Sequence, residues 1–310
     1  MVLDDFGEWR LGEVPEPIAG DDDVVVAVRA ASLNPSDWKL ADGWYRYFMD
    51  YVFPMRLGRD YAGVIVAVGA GVERFALGDE VFGHIPVAGL GRSGTLAERV
   101  ALPAASCMLR RPAELSPELA SAIPVGGLTA LQAVEFIAAN PGDRVLVVGA
   151  VGGVGSIAVQ LLASRRAEVI ATALPEDEAY LRCLGAADVV DYSRGTEALV
   201  AERYPEGIHH LLDLAGSDDG YDALTRRVHA GGRVASALGR ASPDRLPPGV
   251  VGLNAHTPHD PALLERLAQS VLAGDVAIAI ERSCLLVEAD VALYALRDEH
   301  VRGKVVVRVE

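Results

Sequence analysis

The residues best placed to do chemistry begin at Asp143. Val145 to Val148 form a short apolar, mostly β-branched run, and four glycines follow within seven residues: Gly149, Gly152, Gly153 and Gly155, with Val154 inside the loop. Ile157, Val159, Leu161 and Leu162 then continue as an apolar helical pattern, and Glu168 to Thr172 is a second β-branched run. This order reads as strand, glycine loop, helix, strand. Glycine lets a backbone turn sharply and approach a pyrophosphate closely. The helix that starts there offers free N–H groups and the positive end of its dipole to phosphate oxygens. A glycine triplet alone is weak. A strand before it and a helix after it make the dinucleotide reading the strong one, against a tight structural turn with no ligand.

The elements that must position this loop differ on its two sides. Before residue 115 the chain is rich in turns and short strands. Asp23 to Ala31, Val64 to Val68, Asp79 to Gly83 and Leu96 to Leu102 are the clearest, and they suggest a small β-barrel-like domain. Ser116 and Pro117 form a helix start, and Leu128 to Ala138 is a second helical pattern. After the glycine loop, strands at 188–192, 209–215 and 232–237 alternate with helices, as in a parallel, doubly wound sheet. A helix over 261–274, another near 288–298 and a last strand from Lys304 return to the first domain.

Composition narrows the function classes. The chain has 310 residues, a net charge of −15 and 23% charged residues. That is an ordinary globular composition long enough for two domains. The negative balance makes nucleic acid and anionic membranes poor partners. No run is long and apolar enough to span a bilayer, and Met-Val-Leu-Asp-Asp lacks the parts of a signal peptide, so a cytoplasmic location is the expectation. Cys107, Cys183 and Cys284 are widely spaced and imply neither a disulfide framework nor a thiolate zinc site.

Several further motifs occur in sequence order: Asn34-Pro-Ser-Asp37, Leu57-Gly-Arg-Asp-Tyr-Ala-Gly63, Gly78-Asp-Glu-Val-Phe-Gly83, Gly127-Leu-Thr-Ala130, the glycine loop, Asp191-Tyr192, Gly231-Gly-Arg233 and Arg302-Gly-Lys304. Together they resemble the medium-chain dehydrogenase/reductase superfamily, and most of all its zinc-free quinone oxidoreductase and enoyl reductase branch. The resemblance implies an α/β architecture: a GroES-like β-barrel catalytic domain at 1–117 plus about 260–310, and a Rossmann NAD(P)-binding domain at 118–259. The family usually opens with a further strand, most of which this chain lacks. The resemblance also implies a homodimer, paired through an edge strand in the run Val250 to Ala255.

Zinc-dependent members carry Cys, His and Cys ligands where this chain has Asn34, Arg59 and Val125, and the four-cysteine structural zinc loop is absent as well. None of the three is a plausible zinc ligand there, so no metal is expected. The implied reaction is hydride transfer from the nicotinamide of NADPH or NADH to a quinone or an α,β-unsaturated carbonyl. Without zinc, hydrogen-bond donors must meet the charge developing on the carbonyl oxygen. Asn34 is the expected donor, with Asp37 orienting its loop by pairing with Arg59; the same four residues also make a plain capped turn. Tyr45 or Tyr47 is a candidate donor of the α-carbon proton, and the aromatics around them equally suit packing or pocket lining. Water is a further source of that proton. The scaffold also suits a non-catalytic nucleotide sensor, a structural protein or a redox-neutral biosynthetic enzyme.

In the cofactor domain the resemblance places Thr129 near the nicotinamide, Tyr192 beside the adenosine ribose and Lys304 toward the cofactor side; Lys304 equally reads as a surface lysine. After Thr172, NADPH-using relatives carry a serine and a basic residue. Here Leu174, Glu176 and Asp177 stand instead. Two carboxylates repel a 2′-phosphate and can accept from the free ribose hydroxyls of NADH. The same acids also suit a solvated helix start, and Arg194 offers a charge that restores phosphate binding. NAD(P) with a lean to NADH is the expectation.

Overall fold

The structure is a computed structural model that describes residues 1–47, 49–86 and 93–309. The chain divides into two units. Met1–Val125, His259–Ala273 and the chain from Ile278 onward form the first, and Gly126–Pro258 with Gly274–Ala277 the second. The first crossing falls at Val125, eight residues beyond the expected 117. The helix Pro117–Ala122 packs on the strands of the first unit, and the Val125 N–H donates to Asp60 at 2.9 Å. Residues 274–277 belong to the second unit because Gln160 clamps Ala277. Its amide donates to the Ala277 carbonyl at 2.9 Å and accepts the Ala277 N–H at 2.8 Å.

In the first unit, among the described residues, a seven-stranded sheet runs in the order Ile280–Leu285, Lys304–Arg308, Asp23–Ser32, Asp60–Val68, Glu80–His84, Cys107–Arg110, with Arg99–Pro103 also paired to Asp23–Ser32. The long central strand is buried on both faces at Val24, Val25 and Val26, which explains its unbroken β-branched run. The returning strand Lys304–Arg308 lies antiparallel to it, with Val306 opposite Ser32. This register brings Lys304, Ser32 and the first residue of the neighbouring strand, Asp60, to one end of the sheet. A separate three-stranded sheet, Glu8–Arg10, Val2–Asp5 and Met55–Arg56, was not evident from the sequence. Its strands have two to four residues, too few to show a period.

The second unit carries a six-stranded parallel sheet in the order Asp188–Asp191, Glu168–Ala173, Arg144–Val148, Ile208–Asp213, Val228–Ser236, Val251–Asn254. Numbered along the chain this is 3-2-1-4-5-6, the Rossmann order, whose direction reverses beside Arg144–Val148. Val145, Leu146 and Val147 are fully buried, and the glycine loop leaves the carboxyl end of that strand. Val251–Asn254 is an edge strand, and Val251 is 55% exposed. Among the described residues no helix is long and apolar enough to cross a membrane.

The opposite end of this parallel sheet is tied by two histidines. His209 Nδ1 accepts the Arg144 N–H at 2.9 Å, and His210 Nδ1 accepts the Arg233 N–H at 3.1 Å. His210 Nε2 donates to Asp143 at 3.4 Å. Burial holds the His210 imidazole below its ordinary 6.5, although the Asp143 carboxylate pulls the other way. The folded ring therefore binds a proton less readily than the unfolded one. Its contribution to stability is full above 6.5 and is lost as pH falls below it. Thermal unfolding should show a melting temperature that drops from about pH 7 to pH 5, with a shallower slope in His210→Gln. An unchanged slope in that variant contradicts the assignment.

Candidate active site

Asp60 is the hub of the first unit. Its side chain is fully buried, and four donors from four places in the chain converge on it. Oδ2 accepts from Ser32 Oγ at 2.8 Å, Asn34 Nδ2 at 2.8 Å and Lys304 Nζ at 3.3 Å; Oδ1 accepts from the Val125 N–H at 2.9 Å. Lys304 is 3% exposed, and its other donors go to Asn34 Oδ1 at 2.7 Å and the Leu33 carbonyl at 3.1 Å. It is a buried ammonium, not a surface lysine. Burial lowers its pKa, and the Asp60 and Asp37 carboxylates oppose that. Taking two ions out of water costs several kcal/mol each, so the arrangement holds only because nearly every lone pair and proton has a partner.

Asn34 is drawn into this hub. Its amide donates to Asp60 and to the Ser32 carbonyl at 3.3 Å, and its oxygen takes Lys304. Both amide hydrogens are therefore engaged inside the protein, and the side chain positions Lys304 and Asp60 rather than presenting a free donor. Asp37 does orient the loop, by a different partner from the expected one. Its Oδ2 accepts the Asn34 backbone N–H at 2.8 Å and so ties down the start of the helix Pro35–Ala41. Its Oδ1 has no partner, and it forms no ion pair with Arg59. Burial pushes the Asp37 carboxyl up to about 7, against the lowering pull of the Asn34 N–H and Arg59.

Arg59 is 4% exposed. Nε donates to the Ile85 carbonyl at 3.2 Å and Nη1 to Ser36 Oγ at 3.4 Å, while Nη2 has no partner. The tyrosines separate. Tyr45 is half-buried, and burial raises its pKa with Arg59 and Asp37 close enough to modulate it. Tyr47 is 81% exposed with the Arg46 guanidinium 5.0 Å from its ring centre, so it stays in solvent and does not join the cluster.

The glycine loop shows which of its glycines the protein itself needs. Gly149 has φ +81°, and a Cβ there meets Ala215 Cβ at 2.9 Å. A Cβ on Gly155 meets the Gly149 carbonyl oxygen at 2.2 Å. A Cβ on Gly152 meets nothing closer than 3.8 Å. Packing explains Gly149 and Gly155; it does not explain Gly152. Gly152, Gly153 and Val154 are partly exposed, and Val154 precedes the helix Gly155–Ser164. Thr172 is 2% exposed and braces the loop by accepting the Gly149 N–H at 3.1 Å. Thr129 lies 3.1 Å, oxygen to oxygen, from Thr257.

At the acidic turn the two carboxylates part. Asp177 is fully buried and engaged within the protein, so it does not face a ribose, contrary to expectation. Glu176 is exposed and lies close enough to Tyr192, together with Asp177 and Asp191, to raise the phenol's pKa after burial has done so. Tyr192 itself is 44% exposed.

The residues at the three positions matched to zinc ligands do not fit a zinc ion. Asn34 is bound to a carboxylate and an ammonium, Arg59 is a guanidinium, and Val125 offers a backbone N–H to Asp60. A cation, Lys304, already stands among them. Among the described residues no group of three His, Cys, Asp or Glu side chains is placed to hold a metal. Sequence reasoning missed Asp60 and Ser32. The signal was a charged Arg-Asp pair opening an otherwise apolar strand, which a buried ion must explain. Removing the ammonium alone should cost about 3–5 kcal/mol. Urea unfolding of Lys304→Met should show that loss, and Lys304→Met/Asp60→Asn should recover part of it. Equal losses in the single and double variants contradict the pairing.

Comparison with known proteins agrees with this geometry. Residues 20–112 match the alcohol dehydrogenase GroES-like domain, and residues 184–307 match a family described as zinc-binding dehydrogenase. The chain is 39% identical over 189 residues to the chloroplast envelope quinone oxidoreductase homolog of Arabidopsis thaliana, covering 58% of this chain and 55% of that protein. It is 35% identical over 234 residues to quinone oxidoreductase QR1 of Triphysaria versicolor, covering 70% of this chain and 69% of that protein. The first match thus spans little more than half of the relative's length. The quinone oxidoreductase from Coxiella burnetii superposes with a TM-score of 0.87 at 28% identity, over 100% of this chain and 98% of that one. The chain belongs to the medium-chain dehydrogenase/reductase superfamily, in its quinone oxidoreductase and enoyl reductase branch.

Proposed function

We propose that this protein is a zinc-independent NAD(P)H-dependent reductase of quinones or α,β-unsaturated carbonyls. The observation that carries the reading is the filled Asp60 cluster. Where zinc-dependent members hold a Lewis acid, this chain sets its own ammonium, carboxylate and amide in mutual hydrogen bonds. Reduced nicotinamide, when bound, supplies the hydride. Gly152, where a Cβ would meet nothing closer than 3.8 Å, lets the backbone approach the pyrophosphate, and the first turn of the helix Gly155–Ser164 meets its charge. Thr172 braces that loop, and Thr129 is the residue we assign to the nicotinamide end. Tyr45 keeps its phenolic proton at neutral pH and is the side chain we assign to α-carbon protonation.

The cofactor reading is NADH or NADPH, with NADH favoured by Glu176 alone. A screened carboxylate beside a 2′-phosphate costs about 1 kcal/mol, roughly fivefold in affinity. Fluorescence titration should show Glu176→Ala gaining that factor for NADPH while NADH binding holds or weakens. NADPH affinity unchanged in the variant removes Glu176 as the discriminator. Steady-state oxidation of NADH and NADPH with a panel of quinones and enones tests the activity itself. Cofactor binding with no acceptor reduced favours a sensor or structural protein, and product without net cofactor consumption favours a redox-neutral enzyme.

We also propose a homodimer paired through the edge strand Val251–Asn254, whose outer side is exposed. Light scattering should give twice the 32.7 kDa chain mass, and Val251→Lys should weaken the dimer. A wild-type monomer contradicts this.

A further inference from the structure

Among the buried side-chain polar atoms of the first unit that have no partner among the described residues, two belong to charged side chains of opposite sign. They are Arg59 Nη2 and Asp37 Oδ1, on residues 4% and 1% exposed. An unpaired buried N–H forfeits the free energy of a hydrogen bond, and a cationic one forfeits more. Such orphans are rare and call for a partner. The Arg59 side chain is not loose. Its backbone carbonyl accepts the Ile85 N–H at 2.9 Å and its Nε donates back to the Ile85 carbonyl. Nη1 reaches Ser36, one residue before Asp37. The guanidinium plane is thus held from two sides while its outer nitrogen is left unused.

The charge balance points the same way. Arg59 and Lys304 are the cluster's cations, and Asp60 and Asp37 its carboxylates. Asp60 is taken up by Lys304, Asn34, Ser32 and Val125. Asp37 forms no ion pair with Arg59, and its burial favours the neutral acid. Arginine stays protonated even when buried. The cluster therefore carries a fixed positive charge without a full counter-charge, and it is suited to an oxygen that gains negative charge.

We propose that Arg59 Nη2 is the donor that receives the substrate's carbonyl oxygen and stabilises the negative charge that develops on it. This rests on the reductase reading above and assigns to Arg59 the role expected of Asn34. Hydride from the reduced nicotinamide adds to the β-carbon of the enone. The C=C π pair moves toward the carbonyl carbon, and the C=O π pair moves onto oxygen. The resulting enolate oxygen is held by the guanidinium until the α-carbon takes a proton from Tyr45 or water. For a quinone the second oxygen takes the same place and is then protonated. Asp37 acts as a positioning residue, fixing the Asn34 turn and, through Ser36 beside it, the Arg59 fork. A planar fork in a water-poor site is the protein's counterpart of a Lewis acid, at a position where zinc-dependent members carry a ligand.

The test uses the whole chain and two readouts. Arg59→Gln and Arg59→Lys are compared with wild type in NAD(P)H oxidation with 3-buten-2-one and 1,4-benzoquinone. They are also compared in the binding of 4-nitrophenol, whose visible phenolate absorbance reports an anionic oxygen held by a donor. Removal of one oxyanion donor should lower kcat by roughly 10²–10³-fold in Arg59→Gln, with the KM for the nicotinamide unchanged, and should abolish the bound phenolate signal. Arg59→Lys keeps the charge but loses the fork, so at least about a tenfold fall in kcat is expected. If Arg59→Gln does not fold, Arg59→Lys decides by the same two measurements. A folded variant with wild-type kcat and wild-type phenolate binding overturns the proposal. A wild type that reduces neither acceptor overturns the reductase reading instead, and the phenolate titration still decides for or against the Arg59 donor.

Discussion

A buried carboxylate must be met by donors, and Asp60 has to recruit its own from distant parts of the chain. Ser32 and Asn34 come from the end of one strand and the turn after it, Val125 from the edge of the unit, and Lys304 from the returning C-terminal strand. The return of the chain after residue 278 is therefore more than packing. It delivers the ammonium that donates to the fully buried Asp60. The same demand carries the unit boundary past 117, because Val125 must stay within reach of Asp60. It also turns the Asn34 amide inward, which removes it as a free donor.

The second unit obeys a simpler constraint. Its glycine loop needs Gly149 and Gly155 for its own packing and leaves Gly152 open. That split separates the glycines that packing requires from one that it does not. Thr172 supports the same loop, its hydroxyl accepting the Gly149 N–H. Glu176 is exposed, while Asp177 beside it is buried in the protein.

The legibility of the sequence follows from how local each signal is. The Rossmann strands were readable because a buried parallel strand writes a continuous β-branched run, and the glycine loop because a turn that tight has few alternatives. The helix start at Ser116 was readable for the same reason, and its hydroxyl accepts the Leu119 N–H at 3.2 Å. The edge strand was found near its observed limits. The Asp60 cluster was not readable. Lys304 lies 270 residues from Asn34, and no period or spacing in the chain records which strand ends share a corner. Lys304 therefore read as a cofactor-side or a surface lysine, not as the partner of a buried carboxylate. Tyr45 and Tyr47 are two residues apart and chemically alike, and only burial separates them. Burial likewise separates Glu176 from Asp177.

The central claim is that a position built for a metal in related enzymes is closed here by an internal ion pair, and that the chain reduces conjugated carbonyls without metal. The most direct measurement combines metal content by inductively coupled plasma mass spectrometry with NAD(P)H oxidation by an enone on the same preparation. The account predicts turnover in protein with far less than one zinc per chain, unchanged by chelator or by added zinc. One zinc bound per chain, with activity lost on chelation and restored by the metal, would contradict it.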